Sequence, residues 1–203
     1  MKKVGWKGQS YGVDSGVYRV GPLGRLNASE GLSTPLAQAE YEVMYNTLGG
    51  KPVHGTLAFH WARLIELLYA AEKAVELAKD PEITNTNVRN KPGEPGEGIG
   101  VVEAARGTLY HHYVLDKDAL VKDVNMIVAT TNNYPAICMS IRDAAKGLIH
   151  GDKVDQGTLN MVEMAFRAYD PCFGCATHFA VGQMPMTIKV FDSQKNLLKT
   201  LQR

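Results

Sequence analysis

Two cysteines, a histidine and an aspartate fall within nine residues of this chain, Asp170-Pro171-Cys172-Phe173-Gly174-Cys175-Ala176-Thr177-His178. The C-x-x-C spacing directs two thiolates at one point, and His178 follows three residues later. Thiolates suit nickel, zinc and iron centres, and a close pair can hold one metal or bridge two. Pro171 cannot continue a helix and biases Asp170 toward an extended backbone, so the helical pattern before it should stop there. Other chemistries share a C-x-x-C. A zinc knuckle needs a fourth ligand, and Cys138 is the only other cysteine. A redox C-x-x-C normally opens a helix after a strand, whereas this one follows a helix. Two buried structural cysteines are the default for an unframed pair, but here Asp-Pro and His frame it.

The elements that must position these groups can be read from periodicity. Residues 1–33 are glycine-rich and read as an extended, looping segment. Thr34-Pro35 starts a helix, with a hydroxyl N-cap followed by proline, and Gly49-Gly50 stops it. A second helix over 56–79 aligns Trp61, Leu64, Leu68, Ala71, Val75 and Ala78 as a core or subunit-interface stripe, with His60 as a structural histidine. Residues 86–98 form a Pro/Gly/Asn-rich loop, the best internal boundary. The period then changes to two, giving strands over 99–104, 107–115 and 120–128. His111 and His112 point to opposite faces of the second strand, which makes them a poor joint metal site. Helix resumes after Asn132-Asn133-Tyr134-Pro135 with Cys138 as an inert buried thiol, and a last helix from about Thr158 feeds into Asp170-Pro171. Residues 186–190 and 197–201 look like a β-hairpin. The class is α+β, mainly helical with a small antiparallel sheet.

Composition bounds the partners. With 203 residues the chain can bury a proper core as one domain or two small ones. A formal net charge of +1 leaves no basic footprint for nucleic acid or an anionic membrane. The longest apolar helical stretch carries Arg63, Glu66, Glu72, Lys73 and Glu76 and cannot span a bilayer. The opening Met-Lys-Lys-Val-Gly-Trp lacks the apolar core of a signal peptide. Three cysteines, an odd number, do not point to a disulfide framework. A reducing cytoplasm fits best.

The nonapeptide resembles the C-terminal motif of nickel–iron hydrogenase large subunits, D-P-C-x-x-C-x-x-H. Three further segments extend the resemblance along nearly the whole chain. Val20-Gly21-Pro22-Leu23-Gly24-Arg25-Leu26-Asn27 is similar to a segment of hydrogenases associated with heterodisulfide reductase, and reads either as a structural turn with a solvated Arg25 or as a segment in direct contact with the metals. Val102-Glu103-Ala104-Ala105-Arg106-Gly107 resembles the family's E-A-P-R-G motif, and Ala129-Thr130-Thr131-Asn132 a cyanide-contacting loop; an alanine replaces the proline in each. The resemblance implies a C-terminal portion of the large-subunit fold, spanning 1–178. Cys172 would be a terminal nickel thiolate and Cys175 a thiolate bridging nickel and iron. Arg106 and Thr130 would donate to iron-bound cyanides, and Asp170 would be an acidic residue over the metals. His178 would bind magnesium and end the mature chain, and the Met126 carbonyl would face the same magnesium. A planar cation beside an anionic metal–diatomic cluster supplies fixed charge and directed donors.

The implied activity is reversible oxidation of dihydrogen to protons and electrons, in the manner of the cytoplasmic methyl-viologen-reducing branch. The Cys172 sulfur would be the nearby base. The implied cofactors are a nickel–iron centre with carbon monoxide and cyanide ligands, magnesium, and iron–sulfur clusters on a partner. The expected partners are a hydrogenase small subunit, a maturation endopeptidase and a heterodisulfide reductase complex. The family's site needs four thiolates, two of them from an R-x-C-G-x-C motif that this sequence lacks. Another chain must therefore supply them, or this one is a metal-free scaffold in an electron-transfer complex. The tail 179–203 matches the segment removed in the family after nickel insertion.

Overall fold

A computed structural model describes residues 12, 15–151, 154–177 and 187–202. The order is α1 (Pro22–Ala28), α2 (Pro35–Thr47), α3 (Ala58–Ala78), β1 (Glu97–Ala104), β2 (Gly107–Leu115), β3 (Val121–Ile127), α4 (Ala129–Leu148), α5 (Gln156–Arg167), α6 (Phe173–Thr177), β4 (Thr187–Phe191) and β5 (Leu197–Gln202). The mixed class expected from the sequence is what the chain adopts. Leu23 and Leu26 from α1, Met44 from α2, Phe59, Ala62 and Ile65 from α3, Ile137 from α4 and Tyr169 form the core. The Phe59 and Tyr169 rings lie 4.8 Å apart at its centre.

β1, β2 and β3 form one antiparallel sheet in chain order. Ala104 pairs with Gly107, which leaves Ala105-Arg106 as a two-residue tip. His112 turns toward Glu97, Nε2 to carboxylate 2.8 Å, whereas His111 packs on Tyr113 of its own face, as alternation along a strand requires. β4 and β5 form the expected tail hairpin. The Asp192 carboxylate accepts the N–H groups of Gln194 and Asn196 across its turn.

The structure corrects six local expectations. The glycine-rich segment contains α1, because Pro22 fits a first helical position and Leu23 and Leu26 bury one side. The Thr34 side chain does not cap α2; the Glu72 carboxylate does, accepting from Leu36 N–H at 3.0 Å and Ala37 N–H at 2.9 Å. The buried face of α3 is Phe59, Ala62 and Ile65, while Leu64 and Val75 of the expected stripe are 63% and 55% exposed. The distal half of this helix runs past the core. His60 is exposed as well. α4 begins at Ala129 and carries Pro135 inside it as its seventh residue, where proline costs the helix one backbone hydrogen bond. On α4, Ala136, Ile137 and Met139 take the buried positions and leave Cys138 exposed rather than buried.

Candidate metal centre

Four segments meet where the cysteines lie, and each is held by a specific contact. The first is 17–21. The buried Asn133 side chain accepts from Val20 N–H at 2.9 Å and donates to the Val20 carbonyl at 3.1 Å, replacing a strand neighbour. Its neighbour Asn132 donates to the Thr108 carbonyl at 2.9 Å and accepts from the Tyr18 hydroxyl at 2.5 Å. Burial, and then the proximity of Tyr110, holds the Tyr18 hydroxyl above its ordinary pKa. The start of α4 therefore ties the entering chain to the sheet.

The second segment is the Arg106 turn. Gly107, at φ +131°, lies so close to Val20 and Gly21 that an added Cβ would sit 2.3 Å from Val20 Cγ2 and 2.9 Å from the Gly21 nitrogen. Only glycine permits that approach and that dihedral. On the other edge, the Arg25 guanidinium reaches the carbonyls of Ala104 at 2.7 Å and Ala105 at 3.0 Å. It is also paired two-pronged with Glu66 at 2.7 and 2.6 Å. Arg25 is thus not the solvated side chain expected: its side chain is 24% exposed. Partial burial works against its charge, but its bonds to Glu66 and Glu103 outweigh burial and hold its pKa above the ordinary value.

The third segment is the exit from α5. Asp155 caps that helix, its carboxylate accepting Thr158 N–H at 2.7 Å. At the other end Asp170 adopts φ +50°, the left-handed region and not the extended one. The helix end decides this: Asp170 N–H closes back on the Arg167 carbonyl at 2.9 Å, and aspartate tolerates the left-handed cap better than most residues. Its carbonyl accepts from Arg106 Nε at 2.8 Å, and its carboxylate lies 3.1 Å from the same nitrogen. The terminal nitrogens of Arg106 make no hydrogen bond among the described residues, so they remain available as donors.

The fourth segment is the cysteine turn. Cys172 is half-buried and Cys175 exposed. Their sulfurs are joined as a disulfide, with Cα atoms 5.3 Å apart, a pairing to which the odd cysteine count does not point. Metal ligation requires thiolates, so the pair would serve only when reduced. The Thr130 hydroxyl, on a residue 2% exposed, accepts Cys172 N–H at 3.1 Å. That bond leaves the hydroxyl's own proton free to be donated. Phe173 anchors α6, its ring 5.7 Å from Phe166 and 6.5 Å from Tyr134.

The structure thus brings together Cys172, Cys175, Asp170, Arg106 and Thr130. Met126 lies on β3 opposite His111, its sulfur 3.7 Å from the Tyr113 hydroxyl. His178 and the segment linking it to the tail hairpin lie outside the described residues. Among the described residues no cluster of three or more His, Cys, Asp and Glu side chains is placed to hold a metal ion. The donor set fits a nickel–iron group in kind: two soft sulfurs converge, with a cation and a buried hydroxyl beside them. Sequence reasoning singled out the Arg25 motif without its role and missed the role of Asn133. Arg25 stood out as the only charged residue of its motif; a buried asparagine inside a helix carries no such signal.

The family model for nickel-dependent hydrogenase matches residues 10–178. The chain belongs to that family. It is 46% identical over 203 residues to an F420-non-reducing hydrogenase iron-sulfur subunit of Archaeoglobus profundus, an alignment covering 99% of this chain and 42% of the relative. With NAD-reducing hydrogenase HoxS subunit beta of Cupriavidus necator it shares 42% identity over 191 residues, covering 92% of this chain and 39% of that one. A crystal structure of NAD+-reducing [NiFe]-hydrogenase in the H2-reduced state superposes with a TM-score of 0.77 at 40% identity, over 83% of this chain and 37% of the other. The chain therefore spans about two fifths of the relatives it matches. A hydrogenase subunit of the nickel-dependent family is the general class this establishes. No helix among the described residues is long and apolar enough to cross a membrane.

Proposed function

We propose that this chain is one part of a cytoplasmic nickel–iron hydrogenase that interconverts dihydrogen with protons and electrons, and that it contributes two of the four cysteine ligands. The observation that carries the reading is the convergence of Cys172 and Cys175 on one turn, with Arg106 and Thr130 beside it. Cys172 and Cys175 would hold the nickel–iron group through their thiolates. When bound, the metal pair supplies the redox and Lewis-acid chemistry of dihydrogen cleavage. The Cys172 sulfur, half-buried, would take the proton. Its backbone is tied to the first turn of α4, where the Thr130 hydroxyl accepts Cys172 N–H at 3.1 Å. Arg106, fixed by Asp170, would direct its terminal N–H groups at one cyanide, and the Thr130 hydroxyl would serve the other. Asp170 orients Arg106 through its carbonyl and carboxylate and would be the acidic residue over the metals.

The remaining ligands would come from a chain carrying R-x-C-G-x-C. Electrons would leave through iron–sulfur clusters on a small subunit toward an acceptor such as a heterodisulfide reductase complex. His178 and the Met126 carbonyl would serve magnesium. The family match stops at residue 178, which supports an endopeptidase cut there and release of 179–203. Serine at both Cys172 and Cys175 in the natively assembled complex should remove the infrared bands of iron-bound carbon monoxide and cyanide and reduce hydrogen uptake to background. Retention of both at ordinary levels would end the reading. The chain's three cysteines favour a second reading, because two in the motif and one remote from it cannot supply four thiolates alone. In that reading the fold serves as a metal-free scaffold, and a natively purified complex would hold no nickel in stoichiometric amount.

A further inference from the structure

The Arg25 guanidinium makes five contacts through its five N–H groups: Nε and Nη2 to Glu66, Nη1 to Glu103 and the Ala104 carbonyl, and Nη2 again to the Ala105 carbonyl. Such a side chain has no freedom left, and lysine, with three donors on one point charge, cannot reproduce the pattern. Two of the five bonds fall on consecutive peptide carbonyls immediately before Arg106. Peptide planes are rigid, so fixing those two carbonyls fixes the direction in which the Arg106 side chain departs. The backbone on the far side is already immobilised by the approach of Gly107 to Val20 and Gly21. Glu66 lies on α3, which is seated in the core through Phe59, Ala62 and Ile65, so the clamp is referred to the most rigid part of the molecule.

We propose that Arg25 is a positioning residue for Arg106: locked by Glu66, it holds the Ala104 and Ala105 carbonyls and so aims the Arg106 guanidinium at Asp170 and the cysteine turn. The inference rests on the reading of Arg106 as the cation of the metal centre, but its test does not depend on metal. In the full chain labelled with 15N-arginine, the Arg106 Nε–H, which bonds the Asp170 carbonyl at 2.8 Å, should exchange slowly with solvent. R25K should speed that exchange by about tenfold, the factor that loss of one ordinary hydrogen bond allows, while the melting transition stays cooperative. E66Q, which keeps Arg25 but weakens its anchor, should give a smaller change in the same direction. Glu103 is the exposed arm of the clamp at 46%, and E103Q should leave the rate unchanged.

Unaltered exchange in both R25K and E66Q overturns the proposal. So does failure of both to fold, because a positioning role requires a folded chain with a freed Arg106. In the assembled complex R25K should also broaden the cyanide bands seen in infrared spectra. If exchange responds but R106Q leaves those bands and hydrogen uptake untouched, the clamp stands and the role given to Arg106 falls.

Discussion

The two sides of the candidate centre are built differently. The Arg106 side is held from every direction: glycine against glycine at the hairpin tip, Arg25 on two peptide carbonyls, Asn133 on Val20, and Asp170 on Arg106 itself. The sulfur side rests on less. One hydroxyl accepts Cys172 N–H, one aromatic ring anchors α6, and Cys175 stays exposed. The Arg106 side is thus fixed by contacts within this chain, while the sulfur side is left more open. On the function proposed above, that asymmetry is what two thiolates out of four would require, since the other pair would have to approach the exposed side.

If the cationic wall is rigid because of backbone packing, alanine at Gly107 should break it most severely. An added Cβ would meet Val20 and Gly21 at an unfavourable positive φ, and chemical denaturation should record a loss of about 3 kcal/mol. A neutral result would mean that the hairpin tip yields easily and that the contrast between the two walls is false. Thr130→Val probes the sulfur wall with nearly unchanged shape. It leaves Cys172 N–H without its acceptor, for about 1 kcal/mol, and should raise hydrogen exchange over α6 while leaving the Arg106 turn unaffected. Equal disturbance of both sides would show them to be one unit.

The smallest effect concerns the cap of the helix that delivers the cysteines. Asp155 is held below its ordinary pKa of 3.8 by the backbone and side chain of Thr158, with burial opposing and Gly157 N–H and Lys199 assisting. A carboxylate depressed in the folded state contributes stability above its unfolded-state value and loses it as pH falls through the folded one. Asparagine also caps helices well. Wild type should therefore melt slightly above Asp155→Asn at neutral pH, and the difference should vanish on acidification below 3.8. A difference that persists in acid would assign the cap's contribution to geometry rather than charge.

Much of the site was legible because its residues are close in sequence or carry their chemistry in their type. Asp170-Pro171-Cys172 and the second cysteine could be found by spacing, and Glu103-Ala104-Ala105-Arg106-Gly107 by its resemblance to a family motif. The helix start at Pro35, the three strands and the tail hairpin followed from caps, glycines and a period of two. Illegible were the features whose causes lie far along the chain. α4 starts six residues before Pro135 because Thr130, Asn132 and Asn133 all have partners elsewhere. Asp170 is left-handed because a helix end overrides the preference of a residue preceding proline. Cys138 is exposed because its neighbours on the helix reach the core first.

By itself, the amino-acid order determined the donor types and the local turns, since a thiolate pair at C-x-x-C spacing and a proline stop depend on covalent geometry alone. Only the tertiary structure decided what those donors face. Arg25 meets Ala104 and Ala105, and Arg106 meets Asp170, across 60 to 80 residues of chain. Contacts of that separation exist because helices and strands pack around a shared core, and no local pattern encodes them.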